Sequence, residues 1–149
     1  DVIDEALKHI DRRSVNYQIT VQHEDEFVLA KMDARLIVQV IINLVNNSIK
    51  YTPSGSKITI STKVQNSKVY ISVADTGAGI PDEMKNKIFD MFYSGVNKVA
   101  DSRRSLGLGL SLCKSIVTAH NGNISVTDVY PHGTIFTFTL PIEEVKLYE

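Results

Sequence analysis

Hydrophobic and polar residues repeat with two different periods along this chain, and the two periods occur in separate blocks. An alternation of period two runs through residues 57–65 (KITISTKVQ) and again through residues 68–75 (KVYISVAD). A short Asn-Ser turn joins these runs, so we expect them to form a β-hairpin. The same alternation in residues 123–129 and 134–140 predicts a second hairpin near the end of the chain.

Helical spacing of apolar residues predicts three longer segments, and the order of all elements indicates the fold class. Strands that cluster in pairs, rather than alternating singly with helices, favour an α+β two-layer sandwich. Its mixed sheet would be covered on one face by about three helices; a doubly wound parallel sheet fits the order less well. The predicted helices are 2–12, 34–51 with Asp33 as cap, and 107–120 stopped by Asn121-Gly122, with further short strands at 17–22 and 26–31 and a helical turn near 82–91.

Length and composition are those of an ordinary globular domain. The 149 residues are 43% hydrophobic and 22% charged, which suits a single domain over residues 1–149. A net charge of −1 gives no reason to expect bulk binding to nucleic acid or to a membrane surface. Cys113 is the only cysteine, so no disulfide can form within the chain. Because the sequence begins at Asp1 rather than Met, we expect it to be part of a longer protein.

A polar stripe interrupts the long apolar helix predicted over residues 34–51. Asn43, Asn47 and Lys50 fall within about 60° of one another on a helical wheel. The stripe is either the solvated side of an amphipathic helix or a surface that faces a ligand. In the second case, Asn oxygens suit a hard cation such as Mg²⁺, and Lys50 suits a phosphate.

A carboxylate occupies a position where the pattern predicts a buried side chain. Asp75 follows Ile71 and Val73 on the core face of the strand 68–75, and Gly77 and Gly79 come directly after it. Glycines permit positive φ and close approach of another group to the backbone. A glycine-rich turn after a strand is common, so this pattern alone is a weak signal.

A second pair of glycines opens the helix predicted over residues 107–120. Gly107 and Gly109 place backbone N–H groups at a helix N-terminus, where anions bind readily. Neither glycine pair matches a better-known phosphate loop. Lys114 follows Cys113 instead of the glycine of a Walker A loop, and the third small residue of a dinucleotide fingerprint is missing.

Together, these motifs resemble those of the catalytic ATP-binding domain of sensor histidine kinases, within the superfamily that includes gyrase B, Hsp90 and MutL. The order and spacing of four motifs match over nearly the whole chain. The resemblance implies a Bergerat-type fold, Mg-ATP as the ligand and protein histidine kinase activity. The motifs are NLVNNSIKYT (43–52), similar to the N box, DTGAGIP (75–81), similar to the G1 box, IFDMF (88–92), similar to the F box, and GLGLS (107–111), similar to the G2 box.

The resemblance also implies roles for individual residues. Asp75 would accept a hydrogen bond from the exocyclic amine of adenine, unless a core hydroxyl or amide is its partner instead. Asn47 would ligate Mg²⁺, with Asn43 near the metal or the phosphates. Lys50 would contact phosphate, and Tyr51 would lie near the adenine or the ribose. The other implied nucleotide-binding positions are Gly77, Gly79, Ile80, Phe92, Leu106, Gly107, Leu108, Gly109, Leu110 and Thr134.

By the same resemblance, residues 93–105 would form a mobile lid over the triphosphate. The lid carries Lys98, Arg103 and Arg104, each of which either reaches the γ-phosphate or is a solvated loop charge. The implied catalytic residues are Asn43, Lys50, Arg103 and Arg104.

The residue pattern favours phosphoryl transfer over hydrolysis. Hydrolases of this superfamily place a Glu four residues before the metal-binding Asn as a general base, and here that position is Asn43, which cannot take a proton. None of the four histidines lies in the acceptor motif of histidine kinases. We therefore expect the phosphoacceptor on a dimerisation helix N-terminal to Asp1. The domain itself would be a monomer, within the cytoplasmic part of a membrane-anchored homodimeric bacterial kinase.

Some details narrow the resemblance, and others leave alternatives open. Ser105 replaces the first glycine of the usual G2 box, which would restrict the lid. The stretches 32–53 and 100–110 resemble the potassium-responsive KdpD sensor kinases, which implies a response regulator of the KdpE type as partner. Two other functions remain: a protein serine kinase of the anti-sigma-factor type, and a regulatory nucleotide-binding module without transfer activity.

Overall fold

The computed structural model describes residues 2–10, 15–23, 31–90 and 106–141, with the backbone alone at 31–33 and 106–108. These residues contain three α-helices: α1 (Val2–Leu7), α2 (Lys31–Tyr51) and α3 (Leu106–Ala119). They also contain five strands: β1 (Gln18–His23), β2 (Lys57–Gln65), β3 (Lys68–Asp75), β4 (Ile124–Asp128) and β5 (Thr134–Pro141). A 3₁₀ helix covers Asp82–Met84, in the loop after β3.

The strands form one mixed sheet in the order β1-β2-β3-β5-β4. β1 runs parallel to β2, and the other neighbouring pairs are antiparallel. Asn66 and Ser67 join β2 to β3 with φ of 55° and 62°. Two successive left-handed residues are typical of the type I′ turn of a tight hairpin. Both predicted hairpins are therefore confirmed, and β5 of the second hairpin lies beside β3 in the middle of the sheet.

The hydrophobic core lies between one face of the sheet and the helices. Alternate residues of the central strands are buried, as expected for a sheet that is covered on one face. The apolar arc of α2 packs on that face, and α1 and α3 pack against α2. This arrangement confirms the α+β two-layer fold. Within the described residues, no helix is both long enough and apolar enough to cross a membrane.

Two predicted boundaries near the start of the chain are wrong. α2 begins at Lys31, so Asp33 lies inside the helix and Lys31 does not end a strand. The rest of the predicted strand 26–31 falls outside the described residues. α1 ends at Leu7, because the N–H groups of Lys8 and His9 bond to carbonyls three residues back, at 3.2 and 3.0 Å, and tighten the last turn.

Candidate functional site

Asp75 is the last residue of β3, and its carboxylate lies inside the fold. The side chain continues the buried face of the strand, and the residue is only 5% exposed. Its Oδ1 accepts the N–H of Gly77 at 3.0 Å, and its Oδ2 accepts the hydroxyl of Ser48 at 3.1 Å. The backbone N–H of Thr134, opposite Asp75 on β5, also donates to the carboxylate. The prediction that Asp75 points into the core is confirmed.

The Asp75 carboxylate has capacity for one more hydrogen-bond donor. An ionised carboxylate offers about four lone-pair positions, and Ser48, Gly77 and Thr134 supply one donor each. Burial raises the pKa of Asp75, and the hydrogen bonds from these donors partly offset that rise. A ligand N–H that approached the remaining position would therefore favour the ionised carboxylate.

Two glycines beside Asp75 have no room for a side chain. A Cβ atom on Gly77 would lie 2.5 Å from Cγ2 of Thr52 and 3.2 Å from Oδ1 of Asp75. Gly133 lies in the turn between β4 and β5 with φ of +133°, and a Cβ atom there would overlap the carbonyl oxygen of Asp75. Gly79, which has φ of +88°, faces the backbone of Gly133. Glycine is needed at residue 77 because the side chains of Thr52 and Asp75 fill the space beside it, and at residue 133 because the turn passes against the backbone carbonyl of Asp75.

The polar stripe of α2 is present, but its two asparagines have different surroundings. Asn47 is 7% exposed, and its Oδ1 is a buried acceptor without a hydrogen-bond partner among the described residues. Asn43 is half-buried, and its Oδ1 accepts a hydrogen bond from Nε2 of Gln39 at 3.0 Å. A buried oxygen without a donor suits a cation or a ligand N–H. Asn47 therefore fits the role of metal ligand better than Asn43.

Lys50 and Tyr51 lie at the C-terminal end of α2, close to Asn47 in the sequence. Lys50 Nζ lies 5.9 Å from the centroid of the Tyr51 ring, and Tyr51 is 44% exposed. The hydroxyl of Tyr17 donates to the carbonyl of Ile49 at 2.7 Å and thereby fixes this last turn of the helix. Both predicted site residues are thus carried by a backbone that is held in place, with side chains that reach the surface.

The glycine-rich start of α3 is described only in part. α3 begins at Leu106, so the backbone N–H groups of Leu106, Gly107 and Leu108 lie in its first turn. A Cβ atom on Gly109 would meet nothing within 4 Å, whereas Leu110 is 7% exposed and belongs to the core. The predicted roles of Phe92, Arg103 and Arg104 concern positions outside the described residues.

The loop after β3 is tethered to the β4–β5 hairpin by two side chains that the sequence analysis did not identify. Lys85 Nζ donates to the carbonyl of Ile80 at 2.9 Å and to Oδ1 of Asp128 at 3.0 Å. His132 Nδ1 donates to the carbonyl of Gly77 at 2.9 Å. The two tethers hold the segment that contains the predicted positions Gly77, Gly79 and Ile80 beside Asp75.

Ser48 and Thr52 are two further site residues that the sequence analysis did not identify. They are 1% and 8% exposed, and the hydroxyl of Thr52 donates to the carbonyl of Ser48 at 2.7 Å. Both lie within the motif NLVNNSIKYT (43–52), and their spacing is a second signal: Ser48 follows Leu44 by one turn on the buried face of α2, and Thr52 comes four residues later, directly after the helix ends. The long-range partners of Lys85 and His132 have no local signal at all.

Comparison with known proteins identifies relatives of the same architecture. Residues 32–144 match the family described as histidine kinase-, DNA gyrase B-, and HSP90-like ATPase. Sensor protein KdpD of Clostridium acetobutylicum is 39% identical over 143 residues, and adaptive-response sensory kinase SasA of Rippkaea orientalis is 40% identical over 143 residues. These matches cover 96% and 95% of this chain, but only 16% of KdpD and 36% of SasA.

A solved structure matches over nearly its full length. The catalytic domain of histidine kinase ThkA superposes with a TM-score of 0.80 at 32% identity, covering 95% of this chain and 90% of that domain. ThkA has also been solved in complex with the response regulator protein TrrA; that match has a TM-score of 0.77 at 30% identity, and it covers 97% of this chain and 40% of the ThkA chain.

Proposed function

The chain belongs to the family of histidine kinase-, DNA gyrase B- and HSP90-like ATPases, and from this membership we propose that it is the catalytic domain of a sensor histidine kinase. It binds Mg-ATP and donates the γ-phosphoryl group to a histidine on a separate dimerisation domain. The observation that carries the proposal is the buried Asp75 carboxylate, which keeps one acceptor position beside glycines that exclude side chains.

Asp75 recognises the adenine base through its exocyclic amine. Burying a carboxylate without enough donors is unfavourable, and an amine N–H at the remaining position of Asp75 would complete its hydrogen bonds. Gly77 and Gly79 let the chain after Asp75 pass closely against Thr52 and the turn before β5, which holds this segment beside the carboxylate. This assignment explains why the end of β3 carries an acid at a position where its sequence otherwise carries Val or Ile.

Asn47 is the residue that would hold Mg²⁺, through the buried oxygen that lacks a donor among the described side chains. Bound Mg²⁺ neutralises charge on the phosphates. Asn43, one helical turn earlier, is assigned to the vicinity of the phosphates through its amide. Lys50 supplies a positive charge on the same stripe, and Arg103 and Arg104 are assigned to the γ-phosphate.

The reaction is phosphoryl transfer to an imidazole nitrogen of the acceptor histidine. That nitrogen attacks the γ-phosphorus while the bond from this phosphorus to the β–γ bridging oxygen breaks, and ADP leaves. Positioning and charge stabilisation supply most of the catalysis in such transfers. Asn43 cannot act as a general base, so no residue at that position activates water, and the bound ATP is kept for the acceptor.

The partners follow from the same proposal. The acceptor histidine lies on dimerisation helices of the full-length kinase, and the phosphoryl group then passes to a response regulator of the KdpE type. The solved complex of ThkA with TrrA supports a response regulator as partner. The full-length protein is a membrane-anchored homodimer, with this domain in the cytoplasm. The chain is about equally identical to KdpD and to SasA, so sequence identity does not favour either kinase. The potassium-sensor assignment rests instead on the stretches 32–53 and 100–110.

Phosphotransfer to a supplied acceptor is the decisive experiment. The chain is incubated with γ-labelled ATP and Mg²⁺, alone and with the histidine-bearing dimerisation domain of KdpD or of SasA. We expect no labelling of the chain alone and acid-labile labelling of a dimerisation domain at histidine. Stoichiometric self-labelling at one of the four histidines of this chain would refute the proposal.

The same experiment separates the alternative functions. Acid-stable label on a serine of a bacterial anti-sigma-factor antagonist would indicate a protein serine kinase. Nucleotide binding without transfer to any acceptor would indicate a regulatory module. Asp75→Asn, which should weaken nucleotide binding, serves as the control in each arm.

A further inference from the structure

Ser48 lies in the last turns of α2 and connects that helix to the carboxylate at the end of β3. The residue is 1% exposed, and its hydroxyl donates to Oδ2 of Asp75 at 3.1 Å. The other carboxylate oxygen is held by the backbone N–H of Gly77 at 3.0 Å. Ser48 is therefore the one side chain, among the residues that the structure describes, that hydrogen-bonds the Asp75 carboxylate directly.

We propose that Ser48 is a specificity-determining residue of the nucleotide site: its hydroxyl keeps Asp75 as a hydrogen-bond acceptor, so that the pocket takes a 6-aminopurine and rejects a 6-oxopurine. This inference rests on the proposed function, because it requires that the base meets Asp75. In this inference Asp75 contacts the base, and Ser48 controls which purine Asp75 accepts.

The chemistry of the two purine classes gives the discrimination. A 6-aminopurine presents an N–H donor at the position where a 6-oxopurine presents a carbonyl acceptor. An ionised carboxylate only accepts, so it pairs with the amine and repels the carbonyl. A protonated carboxyl group has an O–H that can donate to the carbonyl of a 6-oxopurine. The purine preference of the site therefore depends on which form of Asp75 is present.

Ser48 acts on that balance by stabilising the ionised form. Burial raises the pKa of Asp75, and the hydrogen bonds from Gly77, Ser48 and Thr134 lower it. Gly77 and Thr134 donate through the backbone, which a side-chain substitution leaves in place. Removal of the Ser48 hydroxyl should therefore raise the pKa of Asp75 further and increase its protonated fraction at any given pH.

Other titratable groups around Asp75 do not replace this contact. Lys50 follows on α2, Lys57 begins β2 next to the partner of Asp75, and His132 lies in the turn before β5. In the described part of the chain, none of these side chains hydrogen-bonds the Asp75 carboxylate, and His132 contacts the carbonyl of Gly77 instead. They contribute charge at longer range that is the same in wild type and in a Ser48 variant.

Binding of ATP and of inosine triphosphate to wild type and Ser48→Ala tests the proposal. Inosine triphosphate carries the 6-oxo group without the 2-amino group of GTP, so it differs from ATP only at the 6-position and at N1, which carries a proton in the 6-oxopurine. Calorimetric titrations over a series of pH values from neutral into the acid range, with Mg²⁺ held constant, follow the protonation of Asp75. Ser72→Ala is the matched control, because it removes a hydroxyl that pairs with Thr137 at 2.9 Å outside the site.

Two changes are expected in Ser48→Ala and not in Ser72→Ala. The preference for ATP over inosine triphosphate should fall by about tenfold or more, the effect of one hydrogen bond to a charged group. The pH at which ATP binding is half lost on the acid side should move upward. Ser48→Cys, which keeps the shape of the side chain but is a weak donor, should shift both measurements in the same direction.

Two results would overturn the proposal. One is an unchanged ratio of the two affinities together with an unmoved acid midpoint. The other is an equal loss of both ligands with a lower melting temperature, which would indicate a purely structural hydroxyl. Asp75→Asn separates this failure from failure of the proposed function, because unchanged ATP binding in Asp75→Asn would remove the base-recognition role itself.

Discussion

Replacing Asp75 with Asn tests base recognition while the size of the side chain stays almost the same. In the wild type, Ser48, Gly77 and Thr134 occupy three of the acceptor positions of the carboxylate. In Asp75→Asn, the remaining amide oxygen is needed by the backbone N–H of Gly77, and the amide NH₂ takes the place of the other oxygen. The variant therefore turns an N–H toward the adenine amine, and two donors face each other.

The size of the expected loss follows from that mismatch. Leaving a buried polar group without its partner costs about 1–3 kcal/mol. This range corresponds to a weakening of ATP binding by roughly 5-fold to 150-fold. The loss should be seen in the dissociation constant with and without Mg²⁺, because Asp75 is assigned to the base and not to the metal.

The same substitution should stabilise the nucleotide-free protein at neutral pH. Because burial raises the pKa of Asp75 above its ordinary value, the folded state binds a proton more tightly than the unfolded state does. The stability linked to this carboxyl group is therefore greatest at low pH and falls as the pH rises through the folded pKa. Asn does not ionise, so the melting temperature of Asp75→Asn should exceed that of the wild type near neutral pH. The difference should narrow as the pH falls.

Calorimetry with ATP and thermal melts without nucleotide, both over a series of pH values, measure the two effects on the same samples. Weaker ATP binding combined with a higher apo melting temperature is the expected result. Wild-type affinity in Asp75→Asn would refute the adenine contact. A lower melting temperature at neutral pH that recovers in acid would refute the reasoning that burial penalises the charged carboxylate.

Three further substitutions test other contacts of the site. Asn47→Leu should abolish the Mg²⁺-dependent part of ATP affinity, and retained Mg²⁺ dependence would contradict this. The melting temperature without nucleotide should not fall, because the substitution removes a buried oxygen that has no donor among the described residues. Lys85→Met should weaken ATP binding by about two- to fivefold through loss of the loop tether, whereas the exposed neighbour Lys87→Met should have no effect. Tyr17→Phe should lower the free energy of unfolding by about 0.5–1.5 kcal/mol in urea titrations, and no change would show that its bond to the last turn of α2 is not stabilising.

The elements that the sequence predicts well are those whose burial is set by local periodicity. β2, β3 and β5 alternate strictly, because one face of the sheet is covered, and the turn at Asn66 and Ser67 has left-handed φ values at two successive residues. The start of α2 could not be predicted in this way. Asp33 is a typical N-cap residue and the helical spacing of apolar residues begins after it, yet the helix already includes Lys31 and Met32.

The residues of the candidate site also differ in whether the local sequence pattern predicts them. Asp75 is visible in the sequence because an acid interrupts an alternating buried face, and Asn47 is visible because it breaks an apolar helix. Ser48 and Thr52 are not, because a small hydroxyl residue on a buried ridge looks like ordinary packing. Lys85 lies in the loop after β3 and acquires its role from Asp128, the last residue of β4, and only the folded chain brings them together.

The contact between α2 and β3 couples the stability of the fold to ligand binding. Without ligand, this contact contains a buried carboxylate with a raised pKa and a buried amide oxygen without a donor among the described residues. Both features oppose folding, and the apolar arc of α2 must offset them. A ligand that offers an N–H to Asp75 and a cation to Asn47 removes both at once. The interactions that bind the ligand are therefore the ones that remove the cost of burying these two groups. Variants in which an apolar residue replaces Asp75 or Asn47 should be more stable without ligand and should bind nucleotide least well.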